Sequence, residues 1–229
     1  MRSRGIDVLW ASEGRSADTA ARAEQAGLRD VGTVAALARD SELVLSLCPP
    51  HAAREVARAL AGYDGIYVDA NAVSPATARS IGASFTRFVD GGVVGSPPVS
   101  TPTRLYLSGV EADRVRSLFE GTLVDARVVS QRPGDASAVK CAYAAWTKGG
   151  AALLLAIRDF ARAEGVEDVL TGEWRDSQPE LPERLAAAER SAERKGWRWV
   201  GEMEEIAAAF EADGLPSGFH RAAAEIFDR

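Results

Sequence analysis

A lysine set among alanine, valine and cysteine has two uses for its charge. Its stem can lie on apolar surface while the ammonium reaches water, or the ammonium can point into a site and exchange a proton there. Lys140 is such a residue, and the first use is the ordinary one for a lysine in this setting. Three other stretches hold residues with chemical uses. Asp90, Gly91, Gly92, Val93, Val94 and Gly95 place glycines after an apolar run. Such glycines would expose backbone N–H groups to a small anion, and a tight turn explains them equally well. Asn71 lies in DANAVSP (69–75), where a short amide either caps the helix that follows or holds a ligand hydroxyl. SLCPP (46–50) is a strand end with two prolines, a stiff wall suited to a flat ligand. Arg15 with Ser16 would suit a phosphate on a ribose, though such a pair on a surface commonly has no ligand.

Hydrophobic period gives the elements that must position these residues. Apolar runs at 5–11, 31, 42–48, 65–70, 85–89, 105–108 and 126–129 read as strands. They alternate with helices at 17–26, 34–39 (capped by Thr33), 51–61, 75–81 and 112–119. This predicts an α/β fold with a mostly parallel sheet covered on both faces. Ligands of such sheets bind beyond the carboxyl ends of the strands. Residues 12–16, 46–50, 69–75 and 90–98 all fall on that rim.

After residue 132 everything reads as helix. A run without proline over 134–165 opens at Pro133 and Gly134, has Asp135 or Ser137 as its cap, and closes at Gly165. At about 1.5 Å per residue it is roughly 45 Å long, more than one small domain needs. The predicted organisation is therefore a domain over 1–132 and an all-helical domain over 133–229. The latter continues with helices at 166–171, 182–196 and 197–213, and with a last one capped by Ser217 and ending at Phe227. Trp174, Trp197 and Trp199 are expected as core or dimer contacts, and His220 as a surface or packing residue.

Composition narrows the function classes. The chain has 229 residues, a net charge of −6 and a pI near 5.1, and no basic face stands out, which argues against nucleic acid as a partner. Cys48 and Cys141 lack metal-ligand spacing and suit a reducing compartment. With His51 and His220 as the only histidines, a histidine-based metal site is not expected. No apolar run has the length of a membrane span and the N-terminus has no signal pattern, so the expected location is cytoplasmic.

Taken in order, Asp-x-x-x-x-x-Pro (69–75), Asp-Gly-Gly-x-x-Gly (90–95) and Gly-x-x-x-x-x-Lys (134–140) resemble the β-hydroxyacid dehydrogenases. That family includes 3-hydroxyisobutyrate and 6-phosphogluconate dehydrogenases. The resemblance covers nearly the whole chain and is closest to a branch with a phosphogluconate-dehydrogenase-like C-terminal domain. It implies a Rossmann-like domain joined by a long helix to an all-α domain, and a homodimer. It also implies an NAD(P)-dependent oxidoreductase acting on a small hydroxyacid or carbonyl substrate. Lys140 would exchange a proton with the substrate hydroxyl, which requires an apolar site that favours its neutral amine. Asn71 would lie near substrate and nicotinamide, and Leu47 and Pro49 would line the nicotinamide side. Gly92, Val93, Val94 and Gly95 would form a loop holding a substrate carboxylate by backbone N–H groups. Arg15 and Ser16 match a turn associated with NADP over NAD.

The chain departs from the family in several places. Tyr143 and Ala144 stand where the family carries two asparagines, Val94 stands where many members have serine, and Gly201-Glu202 replaces a Lys-Asp pair. No Gly-x-Gly-x-x-Gly occurs, and the first β–α unit of the family is missing. Residues 1–5 read as the tail of the first helix and Ile6 as the start of the second strand. The missing strand would be central, so its absence would leave two ladder edges unpaired and remove the helix N-terminus that holds pyrophosphate. A true start about thirty residues upstream is expected from the usual size of such a unit. Two alternatives remain: a relative that keeps the helical dimer but binds no dinucleotide, and an imine reductase on the same fold.

Overall fold

The computed structural model describes residues 5–228. The chain forms two compact units, Met1–Lys140 and Cys141–Arg229.

In the first unit, β1 (Leu9–Trp10) and β2 (Arg29–Asp30) pair in parallel around α1 (Ala17–Gln25). After α2 (Val34–Asp40) comes a five-stranded sheet in the order β3-β4-β5-β6-β7. Here β3 (Leu43–Ser46), β4 (Ile66–Asp69) and β5 (Phe88–Val94) are parallel, β6 (Thr103–Ser108) is antiparallel to β5, and β7 (Val124–Ser130) is parallel to β6. A short 3-10 turn at Pro50–Ala52 leads into α3 (Ala53–Ala59), which crosses from β3 to β4. The other crossovers are α4 (Pro75–Gly82) and α5 (Ala112–Ser117). The mixed, mostly parallel architecture is the one that the strand–helix alternation implies.

Central strands are apolar throughout because each serves two cores. Tyr67 joins Val44, Ala53, Phe85 and Phe88 on one face, its ring 4.2 Å from that of Phe85. Ile66 and Val68 alternate with it and join Leu105, Leu107 and Val115 on the other face. The sheet is nevertheless in two pieces. Among the described residues β1 pairs only with β2, and β3 pairs only with β4. β1 and β2 thus form one small sheet, and β3 is an edge of the larger one among the described residues.

Several boundaries differ from expectation. The strand at 5–11 is only Leu9–Trp10, and the next is Arg29–Asp30 rather than Val31. The strand expected to stop at 89 runs on through the glycines to Val94, because β6 supplies it with an antiparallel partner. The helix tail expected over 1–5 lies, apart from Gly5, outside the described residues.

The second unit is helical. The helix α6 (Asp135–Ala163) enters it at Cys141 and is followed by α7 (Glu167–Ser177), α8 (Leu181–Ala212) and α9 (Gly218–Phe227). The two helices expected at 182–196 and 197–213 are one. Gly196 interrupts nothing: a single helical glycine costs only about 1 kcal/mol, and this one is buried, with space for a Cβ 3.5 Å from the Phe227 carbonyl oxygen. Ser217 makes no capping hydrogen bond to α9, contrary to expectation. Met203, Ile206, Ala223 and Phe227 form the core with Cys141, Ala144 and Leu155 from α6. Trp174 is buried, Trp199 packs edge-on against Phe227, and Trp197 is exposed. His220 is a packing residue, edge-on to Phe210 with the rings 4.3 Å apart.

Candidate functional site

The start of α6 rests on β5 and β6, and this joint brings Lys140 to the sheet. A helix begins with unpaired N–H groups that need acceptors. Here the acceptors come from strands rather than from the helix itself. The wholly buried Asp90 carboxylate accepts from the Gly134 N–H (3.0 Å), the Ser137 N–H (2.9 Å), the Ser137 hydroxyl (2.5 Å) and the Ser108 hydroxyl (2.9 Å). The Ser108 Oγ in turn accepts from the Ala136 N–H at 3.0 Å. Asp135, a predicted cap, is turned to Ser130 and Arg132 instead. Ser137, the other, donates its hydroxyl rather than capping.

Two residues beyond Asp90, on the same face of β5, Gly92 meets α6. A Cβ built on it would stand 2.7 Å from the Ala136 carbonyl oxygen and 2.9 Å from the Lys140 Cβ. No larger residue fits without moving the helix, and the stem of the half-buried Lys140 therefore starts directly against β5. Lys140 and Gly92, paired by the sequence only through their motif order, are in contact.

The anion-binding loop expected at Gly92, Val93, Val94 and Gly95 is corrected by the register. Gly92, Val93 and Val94 are strand residues opposite Tyr106, Leu105 and Arg104. Since β4 ends at Asp69, level with Asp90, the later part of β5 pairs on β6 alone. Alternate backbone N–H groups there point away from β6, and those of Gly92, Val93 and Val94 belong to a strand and not to a loop. Gly95 follows the strand at φ +122°, a conformation that favours glycine.

Asn71 is a clasp. Its Oδ1 accepts from the Cys48 N–H (2.6 Å), its Nδ2 donates to Ser46 Oγ (2.9 Å), and its own N–H donates to Asp69 Oδ1 (3.0 Å). It does not cap α4, because Ser74 does that by accepting from the Thr77 N–H. The clasp fixes the turn after β3 and leaves Leu47 (63% exposed) and Pro49 on the surface. Ser16 caps α1, accepting from the Thr19 N–H at 3.3 Å. Arg15 beside it is exposed. Burial pushes the Cys48 thiol up, Ser46 and the charge of Arg15 pull it down, and so Arg15 is felt at the same rim as Cys48.

One set of residues was missed as a group. Ser46, Asp69, Asp90 and Ser108 are successive register partners across β3, β4, β5 and β6, and all are buried. They form a polar row beneath the rim, joined at one end to Asn71 and at the other to α6. Burial pushes the Asp69 carboxyl up to about 6, with the neighbouring Asp90 charge adding and the Asn71 N–H opposing. Asp69 Oδ2 has no hydrogen-bond partner among the described residues. The available signal was phase: Ser46, Asp69 and Ser108 are polar residues that end apolar strands, and Asp90 is their register partner inside β5. Among the described residues no group of His, Cys, Asp and Glu side chains could hold a metal ion, and no helix is long and apolar enough to cross a membrane.

Residues 161–229 match the family described as "Domain of unknown function (DUF1932)". An uncharacterised 28.5 kDa protein in the 7S RNA 5' region of Methanothermus fervidus is 31% identical over 168 residues, 72% of this chain and 66% of that protein, so the chain spans slightly less than two thirds of this relative. A conserved hypothetical protein from Sinorhizobium meliloti superposes with a TM-score of 0.72 at 26% identity, covering 99% of this chain and 81% of its own. The conserved protein MTH1747, described as structurally similar to 3-hydroxyacid dehydrogenases, gives 0.71 at 28% identity over 99% and 88%. More distant chains share the fold. Among them are the 3-hydroxyisobutyrate dehydrogenase of Mycobacterium tuberculosis (TM-score 0.66, 16% identity, 93% of this chain and 82% of that one) and a reductive aminase from Aspergillus terreus solved with NADPH (0.57, 18%, 94% and 82%).

Proposed function

We infer that this chain, which has the 3-hydroxyacid dehydrogenase-like fold and carries a DUF1932 domain over 161–229, is an NAD(P)-dependent oxidoreductase with Lys140 as its acid/base. The observation that carries this reading is the close approach of Lys140 to Gly92 of β5. Lysine usage supports it. Among 27 basic residues only Lys140, Lys148 and Lys195 are lysines. Arginine stays protonated and cannot serve as a base, whereas an amine can give and take a proton. A chain that uses arginine nearly everywhere keeps an amine at 140. Lys148 is spent on an ion pair with Glu202.

The residues present fit a dinucleotide in part. Arg15 and the α1 N-terminus at Ser16 would hold a ribose phosphate, which favours NADP over NAD. Leu47 and Pro49, an exposed apolar turn clasped by Asn71, would carry the nicotinamide ring. The bound dinucleotide supplies hydride-transfer chemistry. The chain's own part is to hold a substrate carboxylate on those backbone N–H groups of the Gly92 to Gly95 stretch that point away from β6, and to move a proton between the Lys140 amine and the substrate oxygen. Asn71 acts by fixing the ring-side turn. The substrate is a small hydroxyacid or carbonyl compound. A second reading, reduction of C=N bonds, is favoured by Tyr143 and Ala144, since the pair of substrate-side amides is absent and Ala144 is buried. The chain is expected to work in the cytoplasm as a homodimer, with no nucleic acid or membrane partner.

Titration of the protein into NADPH and, separately, NADH, followed by nicotinamide fluorescence, tests the cofactor assignment. Saturable binding of NADPH, weakened about tenfold or more in Arg15→Ala, is the expected result for a lost charge-assisted phosphate contact. Binding of neither dinucleotide would favour the relative that binds no cofactor.

A further inference from the structure

We propose that Asp90 is the positioning residue of Lys140: its buried carboxylate clamps the first turn of α6 to β5 and thereby sets where the lysine stem leaves the helix over Gly92. The proposal rests on the reading of Lys140 as the acid/base, but its geometry stands independently of turnover. Asp90 takes donors from Gly134 and Ser137 at the helix start and from Ser108 on β6, and Ser108 takes the Ala136 N–H, so the helix start is tied to both strands and the two strands to each other. A carboxylate is suited to this task. It accepts several N–H and O–H donors at once, and the positive end of the helix dipole favours its charge.

The lever is short. Asp90 and Gly92 are i and i+2 on one face of β5, while Ala136 and Lys140 are i and i+4 on one face of α6. Asp90 and Ser108 grip the helix around Ala136. Gly92 receives Ala136 and Lys140 one turn apart, through contacts of 2.7 and 2.9 Å for a Cβ built there. Any rotation or lift of α6 that follows loss of the clamp is carried directly to the Lys140 Cβ. A side chain at 92 would produce the same displacement from the other direction. Asp69 shares the row but reaches α6 only through Asp90, so the helix-holding role belongs to Asp90.

The test labels the three lysine amines, and with them the N-terminal amine, by reductive ¹³C-methylation of the full chain. The NMR signals are assigned with Lys140→Arg, Lys148→Arg and Lys195→Arg. Asp90→Asn keeps the shape but replaces one acceptor oxygen by a donor. It is expected to shift the Lys140 signal and leave those of Lys148 and Lys195 in place. Gly92→Ala is expected to shift the same signal, and Thr33→Ala, which removes the cap of the remote α2, none. Folded Asp90→Asn with an unmoved Lys140 signal would overturn the proposal. If Asp90→Asn does not fold, Ser108→Ala decides. It keeps the carboxylate, removes the acceptor of the Ala136 N–H, and must move the Lys140 signal if the clamp is real. With an active substrate in hand, Asp90→Asn is expected to lower kcat by about tenfold to a hundredfold, the usual effect of a misplaced catalytic group, with NADPH affinity unchanged. A shifted signal together with full turnover in Lys140→Ala would remove the redox reading and leave the clamp standing.

Discussion

Asp69 is the residue whose chemistry is most exposed to a simple measurement. Its carboxyl is raised from 3.8 to about 6 in the folded chain, so between those values the native state binds the proton that the unfolded state has released. Stability from this group is complete below about pH 4 and is lost as pH rises through about 6, with a span of about 2–3 kcal/mol for a shift of this size. Asp69→Asn keeps an acceptor for the Asn71 N–H and carries no charge. Denaturant unfolding at pH 4.5 and pH 7.5 is expected to show the wild type losing stability across that interval relative to the variant. Equal pH dependence of the two would refute the assignment. Asn71 makes a complementary case. Asn71→Leu would leave the Cys48 N–H without its acceptor and cost about 1–3 kcal/mol, while loosening the turn that exposes Leu47 and Pro49. NADPH affinity should fall with it, and an unchanged affinity would show that the turn does not carry the ring.

At the scale of elements, period and phase served the sequence well where a segment had one environment. The β3 and β4 runs, α1, α4 and the long α6 are within a residue or two of expectation, because apolar runs and caps such as Thr33 and Ser74 act locally. Failures occur where a distant partner decides. DGGVV is a turn by composition and a strand because β6 lies beside it. Asp135 is a cap by position, yet Asp90, more than forty residues earlier, supplies the acceptors. Gly196 reads as a break and lies inside α8 because α9 packs over it. The candidate site follows the same division. Lys140, Asn71 and the glycines could be named from motif order, whereas the polar row from Ser46 to Ser108 exists only in the register of four strands. Gly196→Ala is expected to stabilise α8 by about 0.5–1 kcal/mol, since a Cβ there meets only ordinary contacts at 3.5–3.9 Å and alanine is the better helix former. A loss of stability on that change would mean that the α8–α9 contact has no room to give.

At the scale of the molecule, α6 exposes an apolar stripe within the second unit. Tyr143, Trp146, Leu153 and Phe160 recur along α6 at helical spacing and are exposed, Trp146 by 68%. A stripe of this kind is a usual mark of an interface, and a second copy of this chain is its expected partner. Light scattering is expected to give a dimer for the wild type and a monomer for Trp146→Glu, and a wild-type monomer at micromolar concentration would contradict it. The same unit should weaken in acid. Burial lowers the His220 pKa from 6.5, so below that value the unfolded state takes a proton that the folded state refuses, and stability falls as pH drops.

The proposed oxidoreductase depends on the Lys140 amine acting beside Gly92 of β5. The most direct measurement is NADPH oxidation against a panel of oxoacids, ketones and imines, with wild type and Lys140→Ala compared at saturating cofactor. Turnover by the wild type on at least one class, reduced about a hundredfold or more in Lys140→Ala with NADPH binding intact, is the expected result. Full turnover in Lys140→Ala would contradict it.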